Sequence, residues 1–427
     1  MPMDAWLDRA ARMRPERIAL ATADAVITYA ELDDRARRAA GALLDARVSP
    51  GDRVALALPA GPDFVAALHG CVQAGAVAAP IDLRLGAAER AGRAAGAAVL
   101  VDAPLSGPPV TGTRALWAEE VATIVHTSGT TSQPRPVALS YGNWLASALG
   151  SAVALGLEQA ERWLCPMPLT HVGGLSILFR SAIYGTTAVL RERFDTDEVA
   201  GLLSDPTQAI TLVSLVPTML ARLLDAGLER PPTLRWALLG GGPIAPAMLD
   251  RARAAGIPVA PTYGMTEACS QIATGGWPLP GVELRIATNG EVLVRGPTVA
   301  TGALAVDGWL HTGDLGALDE RGRLSITGRR ADTIVTGGEN VAPAEVEAIL
   351  LEHPAVADAA VHGRPDPEWG EAIVAIVVLR TGASVSGEDL RTHCASRLAR
   401  FKIPKSIAFA DALPRTGSGK LLRRELG

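Results

Sequence analysis

An α/β architecture with largely parallel sheets is what this sequence predicts, and three observations predict it. Strand and helix signals alternate through ATIVHTSG, RWLCPMPL, TTAVLRERF, AITLVSLVPTMLARLLDAG and RWALLGGGPI, the pattern of strands joined by covering helices. Nearly half of the residues are apolar (48%) and a fifth are charged (20%), which suits a globular chain with a large core. At 427 residues the chain exceeds one ordinary domain, so two or more are expected.

The elements follow in order. TYAELDDRARRAAGALLDAR (28–47) carries apolar residues at helical spacing behind a threonine cap. GDRVALALP (51–59) reads as a strand, and residues 62–81 as a buried helix followed by a short strand. HTSGTTSQPRPVALSYGNW (126–144) reads as a polar loop running into a helix. After about residue 280 the texture changes to short alternating strands, GVELRIATNGEVLVRGP and GRLSITGRR, with Asn-Gly and Arg-Gly turns. A compact α+β stretch closes the chain: AEVEAILLEHPAV as a helix, AIVAIVVLR as a buried strand, GEDLRTHCASRLAR as another helix. The expected domains are 1–328, of mostly parallel sheets with helices plus a β-rich subdomain, and a small α+β domain over 333–427.

Composition excludes several classes. A formal net charge of −5 gives no sign of a nucleic-acid partner. No apolar run approaches ~18 residues, so no membrane span is expected. MPMDAWLDRAARMRPERIAL has no apolar central block, so a signal peptide is not expected either. Cys71, Cys165, Cys269 and Cys394 lie far apart without a CxxC, which reads as reduced thiols in a cytoplasm rather than a disulfide or zinc framework. Of 40 basic residues only Lys402, Lys405 and Lys420 are lysine. In such a chain a retained lysine hints that a compact point charge on a thin stem is needed.

Several stretches could carry chemistry. The Ser/Thr/Gly run Thr127, Ser128, Gly129, Thr130, Thr131 follows a strand and can aim N–H and hydroxyl groups at phosphate oxygens, although it is not a Walker A motif; an ordinary polar turn explains it equally well. PLTHVGGL sets His171 just after a strand beside paired glycines, where a satisfied core histidine is the plainer reading. ALLGGGPI holds Gly240, Gly241 and Gly242, suited to a close backbone approach or a tight turn. In PTYGMTEACSQ, Tyr263 could stack on a base, Thr266 bond a phosphate and Glu267 hold Mg²⁺. HTGD ends in Asp314, a carboxylate suited to ribose hydroxyls.

Taken together and in this order, these motifs resemble the adenylate-forming superfamily of acyl-CoA synthetases, peptide-synthetase adenylation domains and luciferases. The resemblance runs from TYAELDDRARRAAGALL through the loop, YGMTE, WLHTGD and GRRADTIVTGGENVAPAEVE to PRTGSGKLLRREL. Within it, WLCPMPLTHVGGLSILFRSAIYGTT and YGMTEACSQ are most similar to the o-succinylbenzoate–CoA ligases of menaquinone synthesis. The resemblance implies ATP, Mg²⁺ and coenzyme A as cofactor and co-substrates, and an aromatic, dicarboxylic acid as substrate. It also implies a mobile C-terminal domain that turns about a hinge at 329–332 between two half-reactions.

It implies roles by position. Thr127 to Thr131, with Arg135, would hold the β- and γ-phosphates. Gly240 to Gly242 would flank the adenine and acyl pocket, with Tyr263, Gly264 and Met265 along the nucleotide. Thr266 would meet the α-phosphate, Glu267 the Mg²⁺, and Asp314 and Arg329 the ribose. Lys420 would bridge the carboxylate and α-phosphate, and His171 would gate the acyl path. Gly337 and Gly338 would line the pantetheine tunnel. Arg180, nine residues after His171, would project from a helix toward the acid's second carboxylate, which needs a cation in a partly dry site; a surface arginine is the alternative. Ser270 and Gln271 would be polar partners at the same end.

The chain departs from the superfamily loop at Ser132, Arg135 and Pro136, where Gly, Lys and Gly are usual, and at the hinge position, Ala331. Pro136 removes a backbone donor and Ser132 loses easy access to positive φ, while Arg135 keeps the charge. The sequence leaves open another aryl- or acyl-CoA ligase, an acyl-AMP ligase loading a carrier protein, or a non-catalytic nucleotide-binding descendant. It also leaves the oligomeric state open, a homo-oligomer included.

Overall fold

A computed structural model describes residues 2–112, 114–127, 135–367, 369–416 and 421–426. They form two compact units: 1–241 with 255–283 and 295–310, and 242–254 with 284–294 and 311–427.

Among the described residues the first unit holds a nine-stranded and a five-stranded sheet. In the larger, Ile18–Ala21, Thr187–Leu190, Arg162–Cys165, Leu212–Leu215, Trp236–Leu239 and Val259–Met265 lie side by side and parallel. Val26–Thr28 and Ser270–Thr274 join antiparallel at its two sides. In the smaller, Val99–Val101, Arg53–Leu56, Val77–Pro80 and Val121–His126 are parallel, and Pro136–Ser140 closes it antiparallel. Strands such as VAAP and LVSL are buried at every position, as unbroken apolar runs must be when both sheet faces are covered. The predicted α/β class with mostly parallel sheets is what the chain adopts.

The helices follow their caps. Thr28 and Glu31 form a reciprocal capping box that starts the Tyr29–Asp45 helix, and Ser140 does the same with Asn143 for Tyr141–Leu155. One difference from the sequence expectation stands here. The polar loop does not run into that helix; the strand Pro136–Ser140 intervenes, its two-residue apolar alternation hidden behind Pro134 and Pro136. The helices Tyr141–Leu155 and Val172–Tyr184 are locked through Trp144 and Phe179, whose ring centroids are 4.7 Å apart. Both rings are buried in the main core beside Trp6 and Trp163.

The second unit carries a four-stranded sheet, Glu283–Ile286, Glu291–Arg295, Leu310–Leu318 and Leu324–Arg329, apart from the strand ends at 283, 295 and 310. Its other sheet runs Glu339–Val341, Ile334–Thr336, Gly370–Leu379, Val356–Asp366, with Ser406–Phe409 parallel to Gly370–Leu379. The helices Pro343–Leu351 and Gly387–Ala395 supply Val346, Leu350 and Leu390 to a separate core with Ile334, Val361 and Ile373. No helix among the described residues is long and apolar enough to cross a membrane. The four cysteines are buried and unpaired.

Candidate active site

The strand Val121–His126 delivers the Ser/Thr/Gly loop and Pro136–Ser140 takes it back. The loop is closed by Thr127, whose N–H donates to the Arg135 carbonyl at 3.0 Å. Ser128, Gly129, Thr130, Thr131 and Ser132 lie outside the described residues, as does Lys420. Arg135 is exposed.

Five strands away from the sheet edge at Val26–Thr28, the strand Trp236–Leu239 of the larger sheet ends in glycines. A Cβ at Gly240 would stand 2.7 Å from Thr262 Cγ2 and 3.0 Å from its carbonyl oxygen, so strand-to-strand approach already requires glycine there. Gly241, at φ +80, and Gly242 follow as exposed residues. Tyr263, Gly264 and Met265 end the strand Val259–Met265 half-buried. Gly264 is obligatory, because a Cβ would lie 1.7 Å from the Ser270 carbonyl oxygen.

The chain then makes one 3-10 turn, Thr266–Ala268, and leaves it through Cys269 at φ 52 and Ser270 at φ 91. Two consecutive left-handed non-glycine residues are costly and persist only where surrounding contacts over-determine them. Two such contacts are present: Ala300 N–H donates to the Glu267 carbonyl at 2.8 Å, and Ser147 Oγ donates to the Cys269 carbonyl at 2.7 Å. The Glu267 side chain is half-buried and has no hydrogen-bond or ion-pair partner among the described residues. A carboxylate so placed is a hard-oxygen donor available to a divalent cation. Gln271 is buried, donates through Nε2 to Thr274 Oγ1 at 2.8 Å, and leaves Oε1 without a partner.

His171 does not directly follow a strand; Arg162–Cys165 ends earlier, and His171 is the N-cap of the Val172–Tyr184 helix. Burial, helped by the Arg84 guanidinium, holds its imidazole below the ordinary value, with Asp82 pulling the other way. Arg84 and Asp82 are paired with each other, Nε to Oδ1 at 2.8 Å. The helix runs tightly against its approach: a Cβ at Gly174 would meet the Pro168 carbonyl oxygen at 2.5 Å.

Arg180 is on that helix and only 2% exposed, so the surface alternative is excluded. Its Nη2 donates to Ser147 Oγ at 3.1 Å, and its guanidinium carbon lies 5.5 Å from the Trp163 ring centroid. Nε has no partner, and no carboxylate among the described residues pairs with it. Burial lowers its pKa, yet a guanidinium stays charged in proteins. A buried cation without a counter-charge is expensive, so this site favours an anion.

In the second unit Asp314 and Arg329 face each other across the strands Leu310–Leu318 and Leu324–Arg329. Arg329 Nε donates to Asp314 Oδ1 at 2.8 Å, the carboxylate being nearly buried. The two residues that the resemblance assigns together to the ribose therefore form one ion pair. Gly337 and Gly338, at φ +57 and +84, are the two central residues of the hairpin joining Ile334–Thr336 to Glu339–Val341. Both positive φ values are what a tight two-residue hairpin needs, so turn geometry alone accounts for both glycines.

Comparison with known proteins bears on the whole chain. The profile of the AMP-binding enzyme family matches residues 7–107 and 97–304, and that of the AMP-binding enzyme C-terminal domain matches 345–420. The chain belongs to the AMP-binding enzyme family. Similar curated members include 2-succinylbenzoate–CoA ligase of Bacillus licheniformis, 38% identical over 475 aligned positions that cover 99% of this chain and 98% of that one. The Bacillus subtilis ligase of the same name is 39% identical, with 99% and 97% covered. Among solved structures, o-succinylbenzoate CoA synthetase of Bacillus subtilis with the acyl-adenylate intermediate superposes at a TM-score of 0.91, 36% identical, covering 100% of this chain and 98% of that chain. The same synthetase with ATP and magnesium gives 0.91 and 37%, each chain covered completely.

Sequence reasoning about this AMP-binding enzyme missed Ser147, Asn143 and the Asp82–Arg84 pair. Ser147 had one available signal: with Asn143 and Ser151 it forms a polar i, i+4, i+8 stripe on an otherwise apolar helix, and all three are buried. Asp82 and Arg84 gave none, since a two-residue spacing in a loop does not announce an electrostatic influence on a distant histidine.

Proposed function

We propose that this chain is an ATP-dependent acid–CoA ligase that converts 2-succinylbenzoate, ATP and CoA to 2-succinylbenzoyl-CoA, AMP and pyrophosphate. The observation that carries it is the end-to-end match at 38% identity to curated 2-succinylbenzoate–CoA ligases. Arg180 supplies the chemistry for the acid: its charge is met by the substrate's second carboxylate.

In the first half-reaction a carboxylate oxygen attacks the α-phosphorus of ATP, the bond to the bridging oxygen breaks, and pyrophosphate leaves. In the second, the CoA sulfur attacks the acyl carbon and AMP leaves. Both depend on positioning and charge neutralisation. Thr127 to Thr131 and Arg135 hold the outer phosphates, Gly240 to Gly242 and Tyr263 to Met265 the adenine side, Thr266 the α-phosphate. Glu267 holds the Mg²⁺, which when bound offsets phosphate charge. Asp314 and Arg329 hold the ribose, and Lys420 bridges the carboxylate and α-phosphate. On the acid, a neutral His171 gates entry, while Arg180, Ser270 and Gln271 hold the distal end; Gly337 and Gly338 line the path of the CoA arm. The C-terminal domain, 333–427, pivots at 329–332 between the two steps. The four unpaired cysteines favour a reducing cytoplasm.

The test supplies ATP, CoA and aromatic acids with and without a second carboxylate, follows pyrophosphate release and identifies the thioester. Succinylbenzoyl-CoA is the expected product; no pyrophosphate with any acid would sink the ligase assignment. Lys420→Ala is expected to abolish adenylation while sparing CoA transfer from preformed adenylate, and equal loss of both would remove the pivot.

A further inference from the structure

Asn143 and Ser147 are four residues apart on one face of the Tyr141–Leu155 helix, and both are buried. Each spends its side chain on distant backbone. Asn143 Nδ2 donates to the carbonyls of Pro297 at 2.9 Å and Val299 at 3.0 Å. The next residue, Ala300, donates its N–H to the Glu267 carbonyl. Ser147 Oγ donates to the Cys269 carbonyl. One helix thus holds the 266–270 segment from both ends.

Ser147 has a second partner, because Arg180 Nη2 donates to the same oxygen. A hydroxyl carries one proton. Accepting from the guanidinium, it must spend that proton on the carbonyl, so the link runs in one direction from Arg180 to Cys269. The carbonyl it reaches belongs to the first of the two left-handed residues, Cys269 and Ser270. That is the point where the backbone most needs an outside hold.

We propose that Ser147 is a positioning residue for the acid: its hydroxyl ties Arg180 to the strained 269–270 turn, so that the cation and the turn bearing Ser270 and Gln271 are set together. The inference rests on the assignment of Arg180 to the acid's second carboxylate, the one that is not activated. Its consequence is selective. An acid without a second carboxylate makes no use of the link, whereas 2-succinylbenzoate depends on it.

Ser147→Val and Ser147→Thr have the same shape and differ in the hydroxyl, and Ser147→Ala removes the hydroxyl without added bulk. For each, kcat/KM is measured with 2-succinylbenzoate and with 4-oxo-4-phenylbutanoate, in which a hydrogen replaces the ring carboxylate, and KM is measured for ATP. The ratio of the two kcat/KM values is expected to fall about ten-fold in the Val and Ala variants and to stay within about two-fold of the wild type in the Thr variant, with KM for ATP unchanged. Equal ratios in Val and Thr, or equal losses on both acids, overturn the link; if the Val variant does not fold, the Ala variant decides. A wild-type enzyme that makes no thioester from 2-succinylbenzoate overturns the ligase assignment itself, before any variant is compared.

Discussion

The corner around Arg180 in the first unit and the ion-pair corner around Arg423 in the second treat buried charge in opposite ways. Around Arg180 the contacts are hydroxyl and ring contacts, and donors and acceptors are left over: Arg180 Nε and Gln271 Oε1 have no partner. Around Arg423 every guanidinium nitrogen has a partner. Its guanidinium donates to Glu347 Oε1 at 2.6 Å, Glu347 Oε2 at 2.9 Å, Asp332 Oδ2 at 3.1 Å and the Val361 carbonyl. Glu347 also accepts the Val361 N–H at 2.8 Å. A self-satisfied network fixes backbone; an unsatisfied cation keeps its energy for a ligand. The first kind of site is built for stability, the second for recognition.

The largest expected effect breaks the satisfied corner. Glu347→Ala strands the Arg423 guanidinium and the Val361 N–H, and should destabilise the second unit by about 3–5 kcal/mol in urea unfolding. The ratio of activities on acids with and without a second carboxylate should not move; if it does, the two corners are not separable as described.

Next comes a buried base in the first unit that is also kept unsatisfied. His69 is 2% exposed, edge-on to Phe179, and burial pushes its pKa down from 6.5 to about 4. Because the folded value is depressed, the unfolded chain takes up the proton first. Stability is therefore complete above pH 6.5 and is lost as pH falls toward 4, by about 3 kcal/mol. His69→Gln should flatten that part of the stability–pH curve, and an unchanged slope would assign the acid loss to other groups.

Arg180→Met sharpens the contrast. Exchanging an unpaired buried cation for an apolar side chain should leave Tm unchanged or higher, while kcat/KM on 2-succinylbenzoate falls about 100-fold and that on 4-oxo-4-phenylbutanoate does not. A drop in Tm with selectivity intact would make Arg180 a structural residue. The smallest expected effect is that of Asp314→Asn, which keeps the shape and weakens the pair with Arg329: KM for ATP should rise about ten-fold with KM for the acid unaffected. A change confined to the acid would separate Asp314 from the nucleotide.

Much of the site was legible in sequence because its parts are local. Tyr263 to Glu267 sit in one strand end and one turn, and Asp314 ends a motif whose residue types already suit a sugar hydroxyl. What was not legible is what those parts touch. Arg180 could be placed on a helix but not in the core, since helical spacing leaves its facing residues unknown. Asp314 and Arg329 were both assigned to the ribose, but that strand register makes them partners of each other was not readable. The Pro136–Ser140 strand was hidden because its prolines mask a short alternation that only pairing with Val121–His126 stabilises.

The sequence by itself determined the α/β class, the order of the chemical groups and the family they belong to. Apolar periodicity, capping residues and glycine or acid motifs act over a few residues and survive any tertiary context. Only the tertiary structure decided which polar groups meet. Glycines at 337 and 338 became a hairpin turn, Ser147 became the contact joining Arg180 to a strained backbone, and Arg180 became a cation without a counter-charge. Burial and hydrogen-bond partnership are properties of surfaces brought together from distant positions, and one chain read in order carries no measure of that distance.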